Sequence, residues 1–263
     1  MTITDQMART LTLPQPPRRI ISLVPSQTEF LADLGLEEEV IGITKFCVHP
    51  REWFQTKQRI GGTKTLNLSK IAALRPDLII GNKEENERTQ IEELERHFPV
   101  WMSDIVHLED ALDMMRRVGT LIGRAEKAES LVQQIEGNFE GLKSEPKVLR
   151  RAAYFIWRKP YMVAASGTFV HEMLERAGFE NVFADRLRYP EITPDELAAA
   201  SPEVILLSSE PYPFAEKHFG AFQEICPAAR VLLVDGEMFS WYGSRLQYAP
   251  EYFRRLKKNA DLA

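Results

Sequence analysis

Residues Arg75–Asn82 read RPDLIIGN, and Ser201–Ser208 read SPEVILLS, 126 positions further on. Each stretch is a proline, an acid and a short apolar run that stops at a polar residue. The proline ends whatever helix precedes it. An uninterrupted run of aliphatic side chains suits a strand buried on both faces. The unit also extends backwards, because NLSKIAAL (Asn67–Leu74) and TPDELAAA (Thr193–Ala200) are short helical patterns that lead into the proline. With Pro76 set on Pro202, both halves show the same order: strand, capped helix, glycine, short helix, proline–acid, strand, loop. The pattern is that of an internal duplication, and it predicts two similar lobes.

The elements around each unit support this. In the first half, RIISLV (Arg19–Val24), VIGIT (Val40–Thr44) and PVWMS (Pro99–Ser103) read as strands. Ser26 followed by Glu29 is a capping-box pattern that predicts a helix running to Leu34-Gly35. IEELERHF (Ile91–Phe98) is a further helix. In the second half, RRAAYFIW (Arg150–Trp157) and ARVLLVD (Ala229–Asp235) read as strands. SGTFVHEMLERAG (Ser166–Gly178) reads as a helix, and Thr193 with Glu196 caps another. LQYAPEYFRRLKKNA (Leu246–Ala260) is a final helix that Pro250 can split. Strands alternating with helices predict α/β lobes with parallel sheets flanked by helices.

Between the halves lie two helical segments, Leu108–Ile122 and Arg124–Lys143. The second places Ala128, Leu131, Val132, Ile135, Phe139 and Leu142 on one apolar face. Its length corresponds to roughly 30 Å, so it is expected to join the lobes as one backbone helix. The expected boundaries are a flexible arm at 1–17 (broken by Pro14, Pro16 and Pro17), an N-terminal lobe at 18–107, a helical segment at 108–146 and a C-terminal lobe at 147–263.

Bulk properties exclude several functions. The 263 residues carry a formal net charge of −5, which argues against nucleic acid as a partner. No apolar run is long enough to span a bilayer. Cys47 and Cys226 are expected as free thiols. The N-terminus lacks a cationic start and an apolar core, so the chain is expected in the cytoplasm, or in the periplasm if an export signal has been removed. The histidines show no zinc-type spacing, and no nucleotide-binding, nucleophile-elbow or metalloprotease motif is present. An enzyme is therefore not expected, and neither is a bound metal or a covalently bound cofactor. Cys47 and His49 could offer a soft ligand pair to a metal centre in a bound molecule.

Ligands of open parallel sheets sit beyond the carboxyl ends of the strands. Two such lobes predict a ligand cleft between them. The strand-end loops hold or adjoin Phe46, Trp53, Trp157, Tyr161, Tyr189, Tyr212, Phe214, Phe239, Trp241 and Tyr242. Aromatics gathered there suit a flat, partly apolar ligand.

RRIISLVPSQTEFLADLG (Arg18–Gly35), LSKIAALRPDLIIG (Leu68–Gly81) and the long linking helix resemble the helical-backbone substrate-binding proteins of ABC transporters. The likeness covers about residues 18–258 and lies nearest to vitamin B12 binders. It implies a small-molecule ligand: a corrinoid, with haem or a ferric siderophore as the alternative. A siderophore would favour basic residues such as Lys45, Arg158 and Arg188. The implied corrinoid contacts are Phe46, with Cys47 beside it, then Trp157 and Tyr161, and a last run of Glu237, Met238, Phe239, Trp241 and Tyr242. Where B12 binders can carry tryptophans, this chain has Thr63 and Asn82. The resemblance also implies docking on an ABC permease through one acid per lobe, seven residues before the proline of the repeated unit. Asp195 stands there in the second half, with Glu196 beside it, and Ser69 stands there in the first. The missing first-half acid leaves two roles open, ABC-type uptake or intracellular handling of the ligand, and a monomer is expected. A metallochaperone or enzyme on a related two-lobed scaffold is the reading of another class.

Overall fold

The computed structural model describes residues 2–143 and 149–261. Contacts divide the chain into two compact units. The first comprises Met1–Ile105, Glu109–Ile135 and Tyr242–Arg245, and the second Val106–Leu108, Glu136–Trp241 and Leu246–Ala263.

The first unit is built on a five-stranded, wholly parallel sheet. Its order is Gln58–Arg59, Val40–Ile43, Ile20–Ser22, Leu78–Asn82, Val100–Ser103. Helices Pro25–Asp33, Arg51–Thr56, Leu68–Leu74 and Arg88–Glu95 make the crossovers. The central strands Ile20–Ser22 and Leu78–Asn82 are buried at every residue, as a sheet covered on both faces requires.

The second unit holds a six-stranded sheet. The path runs Glu191–Ile192, Tyr161–Val163, Arg150–Trp157, Val204–Ser208, Arg230–Val234, and Phe179–Asn181 also pairs with Arg150–Trp157. Tyr161–Val163 is antiparallel to both of its neighbours, and the other pairings are parallel. The core gathers Ala153, Phe155, Leu197, Ile205, Leu207 and Phe222.

The repeated unit occupies equivalent places in both sheets. Helix Leu68–Leu74 ends on Arg75 and helix Pro194–Ala200 on Ser201, each in the left-handed conformation at φ 47°. The strand that follows is buried throughout in each case. The acid after the proline has the same task in both. Asp77 accepts from the backbone N–H groups of Arg18 (2.9 Å) and Arg19 (2.8 Å). Glu203 accepts from the N–H of Arg151 (2.9 Å) and from the Arg150 guanidinium (2.9 Å). In return, the Arg19 guanidinium donates to Leu74 O (2.6 Å) and Arg75 O (3.2 Å). The Arg151 guanidinium donates to Ala200 O (2.8 Å) and Ser201 O (3.4 Å). Carbonyls orphaned at a helix end are thus satisfied, and the first strand of each sheet is fastened to the unit.

Helix Ala125–Lys143 begins among residues of the first unit and ends among those of the second. It packs closely on Leu108–Leu121 because Gly119 has no side chain: a Cβ there would overlap the Cβ of Ala128.

Four details differ from expectation. Helix Pro25–Asp33 is capped by Val24 with no side-chain bond, so Ser26 is not its cap; proline at the first turn starts it. Glu29 is used elsewhere, in an ion pair with Arg245. The N-terminal stretch is no loose arm, because Thr2–Thr4 pairs with Thr10–Thr12 ahead of the prolines. Asp5, 2% exposed, fastens this hairpin by accepting from the N–H groups of Met7, Arg9 and Met102. The last helix starts at Ala249 with Pro250 in its first turn, after a short turn at Ser244–Gln247. Finally, Tyr242–Arg245 groups with the first unit. Among the described residues, no helix is long and apolar enough to cross a membrane.

Candidate functional site

Each unit ends its parallel strands on an edge where aromatic and polar side chains collect. In the first unit the turn after Val40–Ile43 sets the chemistry. Cys47 points inward, 0% exposed, with its thiol 3.0 Å from Thr28 Oγ1 and 3.1 Å from Thr44 Oγ1. Burial raises the thiol pKa above its ordinary value. With Cys47 as the anchor, its neighbour Phe46 stands outward at 50% exposure. Lys45 Nζ lies 5.1 Å from the Phe46 ring centroid. Gly62 lies beneath the ring, and a Cβ there would come within 3.1 Å of Phe46 Cε2.

Next to this turn, Asn82 organises the loop after the central strand. Its Oδ1 accepts from the N–H groups of Glu84 and Glu85, and its Nδ2 donates to Ser103 Oγ at 2.9 Å. Asn86 returns the bond by accepting from the Asn82 N–H, and it donates to Thr63 O at 3.1 Å. Thr63 and Asn82 are both buried, so they hold the edge together from within.

In the second unit, Trp157 ends the strand Arg150–Trp157 and is 39% exposed. Its Nε1 donates to Lys159 O at 3.1 Å, and its ring meets Tyr212 edge-on at 5.6 Å. Tyr161 is half-buried, packed against Phe155 and Phe222. A cavity of about 460 Å³ opens beside these residues, lined by Arg158–Tyr161 and Glu191–Pro194. Another, of about 470 Å³, lies where strands Val204–Ser208 and Arg230–Val234 begin, at the opposite edge of the sheet. The rule that ligands bind beyond strand carboxyl ends favours the first.

The last strand-end segment is a short helix, Glu237–Ser240, and not the loop expected. Gly236 allows it to start there, since a Cβ would come within 2.7 Å of Glu210 Cγ. Glu237 and Met238 are half-buried. Phe239 is 0% exposed and packs on Tyr154, Tyr252 and Phe253. Trp241 (6% exposed) and Tyr242 (7%) are also buried. Cys47 and Phe239 are core residues with no surface to offer, and Tyr242 belongs to the first unit. Phe46, Trp157, Tyr161, Glu237 and Met238 keep accessible surface.

Sequence reasoning missed Glu210, which organises this edge. Its Oε1 accepts from Ser240 Oγ (2.7 Å) and Trp241 Nε1 (2.8 Å). Only its place just past the repeated unit could have marked it. Burial raises the Glu210 pKa, and the nearby carboxylates of Glu237 and Asp235 add to the effect against those two hydrogen bonds. A raised carboxylate lends stability below the ordinary pKa, and that stability is lost as pH rises through the folded value. Glu210→Gln keeps an acceptor for both donors and removes the buried charge. The melting temperature of the variant should exceed that of the wild type by about 2–4 °C near neutral pH. The two proteins should converge on acidification, as scanning calorimetry across pH can show.

Asp195 is exposed at the start of helix Pro194–Ala200. Glu196 is committed elsewhere: it accepts from the Thr193 N–H in a capping box and pairs with Arg186 at 2.7 Å. Ser69 is exposed at the matching position. Among the described residues, no three His, Cys, Asp or Glu side chains group to hold a metal ion.

Two α/β units, related by a repeated helix–strand element and joined through a long helix, define a two-unit α/β fold. The chain belongs to the periplasmic binding protein family, whose model matches residues 20–223. A vitamin B12-binding protein of Salmonella paratyphi A is 27% identical over 196 residues, 73% of this chain and 73% of its own. One from Pectobacterium carotovorum subsp. carotovorum is 25% identical over 241 residues, covering 89% of this chain and 86% of the relative. Among solved structures, the periplasmic vitamin B12 binding protein BtuF of Vibrio cholerae matches with TM-score 0.80 at 23% identity, over 95% of this chain and 100% of that one. The periplasmic heme-binding protein RhuT from Roseiflexus sp. RS-1 matches with TM-score 0.82 at 22% identity, over 93% of this chain and 99% of that one. At such identities the structural likeness is one of fold.

Proposed function

We propose that this protein binds a corrinoid of the cobalamin type, as a monomeric substrate-binding protein without catalytic turnover. The observation that carries the reading is the pair of exposed aromatics, Phe46 and Trp157, one on the strand-end edge of each unit. Aromatic faces kept at the surface by buried anchors beneath them suit the flat, apolar faces of a macrocycle. The vitamin B12-binding relatives support a corrinoid over other macrocycles. In this reading Phe46 supplies apolar contact on the edge of the first unit, and Trp157, Tyr161, Glu237 and Met238 supply contact on the edge of the second. Cobalamin is carried as a ligand and not as a cofactor. The family's periplasmic name supports work outside the cytoplasmic membrane, delivering the ligand to an ABC permease. Asp195 is the docking acid proposed for the second unit, since Glu196 is occupied. Ser69 leaves the first unit without a matching charge.

A titration followed by tryptophan fluorescence tests the reading. Trp53, Trp101 and Trp241 are buried, whereas Trp157 is exposed, so a ligand on the proposed surface meets Trp157 first. Cyanocobalamin should quench the emission saturably, and Trp157→Phe should remove most of the change. Quenching by haemin or a ferric hydroxamate, with none by cyanocobalamin, would replace the corrinoid by the alternative ligand.

A further inference from the structure

Trp157 is held by a chain of rings that ends on a buried histidine. Its edge contact with Tyr212 (5.6 Å) continues to Phe214, 4.7 Å from Tyr212, and to His218, 5.6 Å from both of those rings. The segment is tied to the same strand end, because the Tyr212 N–H donates to Ile156 O at 3.3 Å. His218 is 4% exposed. Its ring Nδ1 accepts from the Ala215 N–H at 3.0 Å, and the His218 backbone N–H donates to Ala215 O at 2.9 Å. An acceptor at Nδ1 places the proton of the neutral ring on Nε2, which faces Tyr212 Oη at 3.5 Å.

This arrangement suits only the neutral imidazole. A protonated ring would turn a second N–H toward the N–H of Ala215 and lose that bond. The charged groups facing His218 are Lys217 on its own turn and Arg158 from the strand end that carries Trp157. Both are cations, and Glu216 on the same turn is exposed. Arg158 Nε is itself buried and finds no hydrogen-bond partner among the described residues. A further positive charge here would stand beside two cations already present.

We infer that His218, acting through Tyr212, is a positioning residue for Trp157, and that it releases this aromatic wall when protonated. The role deepens the binding function proposed above, because it makes ligand affinity sensitive to acid. The sign follows from burial and the two cations, which hold His218 below the usual imidazole value. Stability from the neutral ring is complete above that usual value and is lost as pH falls through the lowered one.

Iodide quenching of the ligand-free protein tests the inference without a corrinoid, since Trp157 is the exposed tryptophan. Between about pH 7.5 and pH 5, wild-type quenching should rise by roughly one half or more as the wall loosens. His218→Asn offers an oxygen near the Nδ1 position but does not titrate, so its quenching should stay flat. Tyr212→Leu cuts the relay and should leave Trp157 quenched to the loosened level at both pH values. With cyanocobalamin, the wild-type dissociation constant should rise about threefold or more over the same range, against little change in His218→Asn. Equal pH profiles of quenching in the wild type and His218→Asn would overturn the inference. Failure of cyanocobalamin to bind would remove the corrinoid reading and leave the quenching result to decide this one.

Discussion

Replacing Phe222 by alanine should lower the unfolding free energy by about 3–5 kcal/mol. Phe222 is 0% exposed in the core of the second unit. Its ring meets Phe155 at 4.7 Å, Tyr161 at 5.2 Å and Phe214 at 6.0 Å. Truncation removes the buried area of a whole ring and leaves a space that three neighbouring aromatics cannot fill without leaving their own rotamers. The cost should be read from urea unfolding as a lower midpoint at an unchanged slope. A loss under about 1 kcal/mol would mean that this cluster relaxes freely and is not the tightly packed core described. Because Tyr161 and Phe214 rest on Phe222, the folded variant should also hold its strand-end edge less firmly.

The second large effect concerns binding. Trp157→Ala and Phe46→Ala should each weaken cyanocobalamin binding by about ten- to thirtyfold, or roughly 1.4–2 kcal/mol. Both rings project into solvent, so their removal should leave the melting temperature within a few degrees of the wild type. Tyr248→Ala is the matched control. It removes another exposed ring, 57% accessible, just before the last helix, and should change affinity less than twofold. Equal effects at all three positions would point to general surface stickiness in place of a defined site.

Much of the fold was legible because its signals are local. The proline–acid–strand unit announces itself twice, and the structure gives it the same left-handed helix end and the same acid-to-backbone bonds. The Thr193–Glu196 capping box was equally plain. The Ser26–Glu29 box was not realised, although its pattern is the same. There Pro25 starts the helix and Arg245, 216 positions away, claims the glutamate. Local pattern cannot foresee a partner so distant in the chain. The N-terminal hairpin was hidden for a similar reason, because its anchor is the N–H of Met102, 97 residues after Asp5.

At the candidate site, sequence position found the right loops but could not tell which side chains face outward. Phe46 and Cys47 are neighbours, yet two threonines draw the thiol inside and leave the ring out. Phe239 reads like its neighbour Met238, but the short helix Glu237–Ser240 turns it into the core. Glu210 and His218 carry no motif at all. Their importance lies in a buried hydrogen-bond geometry that only the folded chain assembles.

Isothermal titration of the purified protein with cyanocobalamin decides whether the chain holds a corrinoid site. One saturable site per chain is expected, with a dissociation constant of about a micromolar or tighter, weakened in Trp157→Ala. No heat and no change in the visible spectrum up to about 100 μM ligand, from protein shown to be folded, would contradict it.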